Sequence, residues 1–416
     1  MKKVSIDGSN LKSYCELDIC GSKSESNRVL ILKSIFTNIK INNLSSSDDT
    51  SVLNDSLQNL NKNIDVGHAG TSMRFLTAYL ATLEKKKFII SGSERMHQRP
   101  IGPLVDALNS LGYKVNYLNK RGFPPLEIIG SKNLHHEVVL KSHISSQFVS
   151  ALTLIAPSLE NGLRIILRDD ITSKPYINMT ISILNKIGVD ATFEKNLINV
   201  KPLKKINDII YDVESDWSSV SYFFSMVALT KNLKLSISNY KKESFQGDAN
   251  VCKYYEIYGV KTIFEGNRLI ITKDETKNLP KKIEIDLNDN PDLAQTIIVT
   301  SFGLNIPTKL TGLSTLKVKE TNRLEALYNE LTKLGAKCKI TNDSIEIFKL
   351  KKLNIKHCTI ETYNDHRMAL AFAPLSILKS LDINEPSVVS KSFPEFWKKL
   401  KDCLLYTSPS PRDEQS

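Results

Sequence analysis

Six stretches of this 416-residue chain are apolar on nearly every side, and five of them recur at an almost fixed interval. They begin near Ser26 (SNRVLILKSIF), Thr71 (TSMRFLTAYLATL), Ser145 (SSQFVSALTLIAPSL), Ser218 (SSVSYFFSMVALT), Asp292 (DLAQTIIVTSFG) and Asp365 (DHRMALAFAPLSIL). The last five starts lie 74, 73, 74 and 73 residues apart, which is internal repetition. A helix without a polar face belongs in an interior. Each stretch opens with Ser, Thr or Asp, the residues that cap helix N-termini.

Amphipathic stretches with a similar period end in Gly112, Gly188, Gly259 and Gly335, where a left-handed C-terminal cap suits glycine. Alternating runs such as 115–118 and 337–340 follow, then a turn and another strand. Each unit reads as buried helix, strand, amphipathic helix, Gly and β-hairpin. The first unit is short. The last lacks its hairpin, which the N-terminal strands KKVSI and ELDIC would complete. The expected architecture is two similar α/β domains of three units each. One covers 22–214; the other is discontinuous, 1–21 plus 215–402. Two crossings, near Gly21 and Ser215, would form a hinge. The end of the chain, KDCLLYTSPSPRDEQS, fits no unit; 403–416 reads as a disordered terminus or as sequence foreign to the natural protein.

Lys+Arg 56 against Asp+Glu 45 gives +11, a balance that invites a nucleic-acid partner. Only 11 of those cations are Arg, so most of the surplus is generic lysine. Cys15, Cys20, Cys252, Cys338, Cys358 and Cys403 show no C-x-x-C spacing, so free thiols in a reduced compartment are expected. The N-terminus lacks the apolar core of a signal peptide. No continuous apolar run approaches the ~18–20 residues of a membrane span. Cys/His clusters and glycine-rich nucleotide loops are missing too, so neither a metal nor a nucleotide is expected.

The unusual polar residues collect where the buried helices start. Arg28, Arg74, Arg95, Arg99, Arg323 and Arg367, six of the 11 arginines, fall in these clusters. Helix N-termini attract anions, and guanidinium forks match carboxylate and phosphate. A cleft between the domains is therefore expected to take small, multiply anionic ligands. Asp292, Glu320, Lys23, Lys319, Lys391 and His366 are the acid–base candidates. Each feature also has a structural reading. Ser, Thr and Asp are ordinary caps. Asn290-Pro291 is a common way to begin a helix. Lys319, Glu320 and Arg323 can form a solvated helix face. His68 and His366 can be satisfied structural histidines, Tyr176 can be packing, and Lys391 can be one more surface lysine. Joint placement at equivalent repeat positions favours a site.

The motifs GSKSESNR, GHAGTSMRFLTA, ERMHQRPIGPLVDAL, SSQFVSAL, SKPYI, QGD, PDLAQT, VKETNRL and TYNDHRMA together resemble the 5-enolpyruvylshikimate-3-phosphate synthase family, over about 5–400. The resemblance implies two domains of three βαβαββ-type units, an inverse α/β barrel-like arrangement, with the active site in the cleft between them. It implies a cofactor-free transfer of the enolpyruvyl group of phosphoenolpyruvate to the 5-hydroxyl of shikimate 3-phosphate, by addition and elimination. Lys23, Gly70, Arg99, Gln147, Lys319, Arg323, Arg367 and Lys391 would meet phosphoenolpyruvate. Lys23, Ser24, Arg28, Ser145, Ser146, Gln147, Ser173, Tyr176, Asp292, Thr315 and Lys319 would meet shikimate 3-phosphate. Asp292 would take the hydroxyl proton, and Glu320, assisted by Lys23, would move the proton at the methylene carbon. A cytoplasmic monomer without nucleic-acid or membrane partners is expected.

Three positions depart from the family pattern. His68 replaces the usual Asn, Phe75 the usual Pro and Thr315 the usual Asn, which bears on phosphoenolpyruvate contacts, on response to the family inhibitor glyphosate and on one shikimate contact. The related UDP-N-acetylglucosamine enolpyruvyl transferases carry a loop Cys where this chain has Glu94. A basic RNA-binding repeat protein would want exposed aromatics among its cations, and aromatics are only 7% here.

Overall fold

The computed structural model describes residues 2–8, 10–141, 145–168 and 172–404. All six apolar stretches form helices: Lys23–Ile35, Gly70–Ala81, Ser146–Ile155, Trp217–Leu229, Ala294–Gly303 and His366–Phe372. Every residue of the last two is buried, as a helix without a polar face requires. Four begin on a side-chain cap: Ser22, Ser145, Asp216 and Asp365 each accept a backbone N–H from the first turn. The amphipathic helices Gly102–Ser110, Lys174–Lys186, Val251–Glu256 and Arg323–Lys333 form the second set. Gly112, Gly188, Gly259 and Gly335 beyond them have φ between 79° and 101°, which explains why glycine stands there.

Among the described residues, six small sheets accompany the six units. Four share one plan. In the first, Asn63–Asp65 runs parallel to Lys87–Ser91, which pairs antiparallel with Leu126–Ile129, the inner strand of a hairpin with Lys114–Tyr117. The sheets around Leu163–Arg168, Lys234–Ile237 and Thr308–Thr311 repeat this order.

The two remaining sheets draw on distant segments. Lys3–Ile6 pairs with Leu381–Asn384 and completes the last unit as expected. Tyr14–Leu17 does not join it; it lies parallel to Lys234–Ile237 in the fourth unit, where its apolar positions Cys15 and Leu17 are buried. Ile209–Asp212 returns to pair in parallel with Ile39–Asn42 of the short first unit. Gly21 and Ser215 face each other in an isolated bridge. A Cβ on Gly21 would stand 1.8 Å from the Asn43 carbonyl oxygen, so only glycine allows this approach.

Two hydrophobic cores result. One runs from Val29 to Val213. The other joins Ile6–Ile19 to side chains from Trp217 to Cys403. The fold is α/β, with two halves of like construction. Cys403 and Leu404 are buried, and Leu404 bridges Leu11, so these two residues of the expected 403–416 terminus pack into the second half. Residues 405–416 lie outside the described residues. Among the described residues, no helix is long and apolar enough to cross a membrane.

Candidate active site

The first turns of seven helical segments meet at one cleft of about 750 Å³, open to solvent. Lys23, Ser24 and Arg28 come from Lys23–Ile35, and Gly70 and Thr71 from Gly70–Ala81. The starts of Ser146–Ile155 and Lys174–Lys186 bring Ser145, Ser146, Gln147, Ser173 and Tyr176. Asp49 and Arg99 complete this side. The opposite side carries Pro291, Asp292, Lys319, Glu320, Arg323, His366 and Arg367. Helix starts present unsatisfied N–H groups, so the whole lining favours anions.

Arg323 organises the second side. Its Nε bonds Asp365 at 2.7 Å, Nη1 bonds Asp292 at 2.9 Å and Nη2 bonds Glu320 at 2.9 Å. Asp292 is also 3.2 Å from Arg367 Nη2 and 3.6 Å from Lys319 Nζ, and accepts from the Tyr176 hydroxyl at 3.4 Å. Glu320 Oε1 is 3.7 Å from Arg99 Nη1 and 3.6 Å from Lys391 Nζ. Burial alone would push both carboxyls up. Arg367, Lys319 and Arg323 outweigh it at Asp292, and Arg323, Arg99 and Lys391 at Glu320, so both stay ionised well below the usual carboxylate range. Lys319 is pulled down by burial and by Arg323 and Arg99. His366 is pushed far below its ordinary value by burial and by Lys23, which makes it a neutral imidazole.

Arg28 is the counterpart on the first side. It is buried and bonds Thr180 Oγ1, Ser150 Oγ and the carbonyls of Ser24 and Tyr176, all neutral acceptors. Burial lowers it to about 10. Phe75, one of the departures, lies 5.5 Å beneath the guanidinium and packs against its face. A buried cation held by neutral groups is ready to receive an anion.

Of the residues singled out from sequence, Lys23, Ser24, Arg28, Gly70, Arg99, Ser145, Ser146, Gln147, Ser173, Tyr176, Asp292, Lys319, Glu320, Arg323 and Arg367 line this one cleft. Lys391 lies just behind the lining, with Nζ 2.6 Å from the His68 carbonyl and 3.1 Å from Asp49. Thr315 is not among the lining residues; it sits on the 3-10 turn Ser314–Val318 with Oγ1 buried and without a hydrogen-bond partner. The His68 side chain turns away to Ser93 Oγ at 3.0 Å, so it is its backbone that serves the site. Asp49 was not anticipated. It pairs with both Lys23 and Lys391, whereas in sequence it is an ordinary acid in a helix first turn. Among the described residues, no group of three His, Cys, Asp or Glu could hold a metal ion.

The chain is similar to known proteins in both sequence and fold. The sequence model of the family described as EPSP synthase (3-phosphoshikimate 1-carboxyvinyltransferase) matches residues 61–400. A 3-phosphoshikimate 1-carboxyvinyltransferase of Bacteroides fragilis strain YCH46 is 40% identical over 396 residues, covering 94% of this chain and 95% of the relative. The enzyme of that name from Buchnera aphidicola subsp. Cinara cedri is 34% identical over 424 residues, covering 94% and 95%. In fold, the chain is similar to a solved EPSP synthase from Acinetobacter baumannii, with a TM-score of 0.78 at 20% identity, covering 97% of this chain and 99% of that one.

Proposed function

The chain belongs to the EPSP synthase family, and on that premise we propose that its cleft transfers the enolpyruvyl group of phosphoenolpyruvate to the 5-hydroxyl of shikimate 3-phosphate, releasing phosphate. One observation carries the reading for this chain: two carboxylates, Asp292 and Glu320, stand ionised among Arg99, Lys319, Arg323, Arg367 and Lys391 at the mouths of helix starts. Phosphoenolpyruvate brings a phosphate and a carboxylate to these cations. Shikimate 3-phosphate brings a phosphate to Ser145, Ser146, Ser173 and Arg28.

The ionised Asp292 is in the state needed to accept the 5-hydroxyl proton as that oxygen bonds C2 of phosphoenolpyruvate. The methylene carbon must gain a proton in the same addition. Glu320, assisted by Lys23, delivers that proton, which it takes up from solvent as the substrates bind. The incoming anion competes for Arg99, Arg323 and Lys391, and as these cations turn to it Glu320 becomes more basic. In the elimination the methyl group returns a proton to Glu320, the C–O bond to phosphate breaks, and phosphate leaves with the bonding pair. Orientation of the two reactants by the converging cations supplies much of the rate. The neutral His366 adds no charge to this balance.

The two cores act as domains, 22–214 and 1–21 plus 215–402, closing on the substrates about Gly21 and Ser215. The scheme needs no cofactor, nucleic acid or membrane, and a cytoplasmic monomer suffices for it. Phosphate release that requires both substrates tests the reading; release with UDP-N-acetylglucosamine in place of shikimate 3-phosphate contradicts it.

A further inference from the structure

Ser22-Lys23-Ser24-Glu25 has the spacing of a capping box, in which the third helical residue reaches back to the N-cap N–H. Glu25 does not do so. The Ser22 N–H donates instead to the Glu214 carbonyl at 2.8 Å. The Glu25 carboxylate turns to the returning strand, where it accepts from the Tyr211 hydroxyl at 2.6 Å and the Glu214 N–H at 3.3 Å. Glu214 in turn accepts from Trp217 Nε1 and the Lys241 N–H, both at 2.9 Å, and from Ser244 Oγ. Glu25 and Glu214 are 2% and 3% exposed. Both lie beside the Gly21–Ser215 bridge, and Glu25 follows Lys23 and Ser24 in the same helical turn.

We infer that Glu25 and Glu214 form a buried carboxylate relay across the two crossings that holds the Lys23–Ser24 turn in register with the second half. Glu25 is thus a positioning residue for the transfer. The inference rests on the proposed function for its catalytic consequence and on the geometry alone for the relay. Both Glu25 oxygens accept hydrogen bonds, so the ionised form makes the full set and a proton disrupts one of them. The groups facing Glu25 are Tyr211 and Glu214 on the return strand, Lys186 at the end of helix Lys174–Lys186 and Arg28 on its own helix; Lys241 faces Glu214. Lys186 Nζ sits 3.9 Å above the Tyr211 ring. Burial raises Glu25 to about 7, against the opposing pull of the Tyr211 bond and Lys186. The relay therefore changes its charge near neutrality.

Trp217, bonded through Nε1 to Glu214, reports on the relay without substrate. In the full-length wild type its emission should titrate with a midpoint near pH 7. Glu25→Gln should abolish that titration. Tyr211→Phe should move it to higher pH, because the bond it removes favours ionised Glu25. In kinetics, Glu25→Gln should lower kcat/KM for shikimate 3-phosphate about tenfold and remove the matching limb of the pH profile. Wild-type emission and kinetic profiles in both variants would overturn the inference, whatever happens to Tm. If Glu25→Gln does not fold, an unshifted Tyr211→Phe is enough to do so. Failure of the wild type to release phosphate would sink the functional reading alone, since the emission titration still decides whether the relay exists.

Discussion

Arg323 Nη2 donates to Glu320 Oε2 at 2.9 Å while the rest of the same guanidinium holds Asp292 and Asp365. Three carboxylates in three directions require a planar fork, which a lysine ammonium cannot reproduce. Arg323→Lys should therefore lose at least about a hundredfold in turnover. Arg323→Ala should also destabilise the fold by about 3–5 kcal/mol, the usual cost of stripping the partner from buried charges. Denaturant unfolding and phosphate release measure the two effects. Wild-type stability in Arg323→Ala would show that the carboxylates find other partners.

Lys23→Ala and Glu320→Ala should each cost about a hundredfold or more in turnover with the fold intact. Among the described residues Lys23 pairs with Asp49 alone, and Glu320 leaves Arg323 two further carboxylates. Turnover alongside circular dichroism checks both. A near-normal rate in either variant removes that residue from the mechanism.

Gly70 has no room for a side chain. A Cβ there would lie 2.5 Å from Arg99 Nη1 and 2.7 Å from Nη2. Gly70→Ala should push Arg99 out of line and raise KM for phosphoenolpyruvate about tenfold, with a smaller change in KM for shikimate 3-phosphate. Equal rises in both would mean a general loosening of the cleft.

Stability should carry the signature of Glu25. Its folded-state value is raised, so its favourable contribution is full below the ordinary Glu range, near 4.5, and is lost as pH climbs through about 7. Relative to wild type, Glu25→Gln should gain in Tm between pH 5 and pH 8. A difference that stays flat across this window would place the Glu25 titration elsewhere.

The six buried helices and the four left-handed glycines were legible because each is written locally, in periodicity and in residue type. So was the gathering of Arg at helix starts. The pairing of Ile209–Asp212 with Ile39–Asn42 was not, because it joins segments about 170 residues apart and neither strand encodes its partner. Tyr14–Leu17 went to the fourth unit for the same reason. Asp49 escaped notice because an acid in a helix first turn satisfies the helix by itself; its second role depends on Lys23 and Lys391 arriving from elsewhere. Glu25 has the spacing of half a capping box, and only the return strand, about 190 residues on, draws it away. The resemblance of about 5–400 to a known family makes the cleft's chemistry readable, but the ion-pair pattern within it depends on segments that only the fold brings together.

As proposed, this cleft joins two anions by way of Asp292 and Glu320. Phosphate release, followed together with the mass of the organic product, tests it most directly. Phosphoenolpyruvate and shikimate 3-phosphate supplied together should give phosphate and 5-enolpyruvylshikimate 3-phosphate in equal amounts, and neither substrate alone should give any. Release from phosphoenolpyruvate alone, or transfer only to UDP-N-acetylglucosamine, would contradict it.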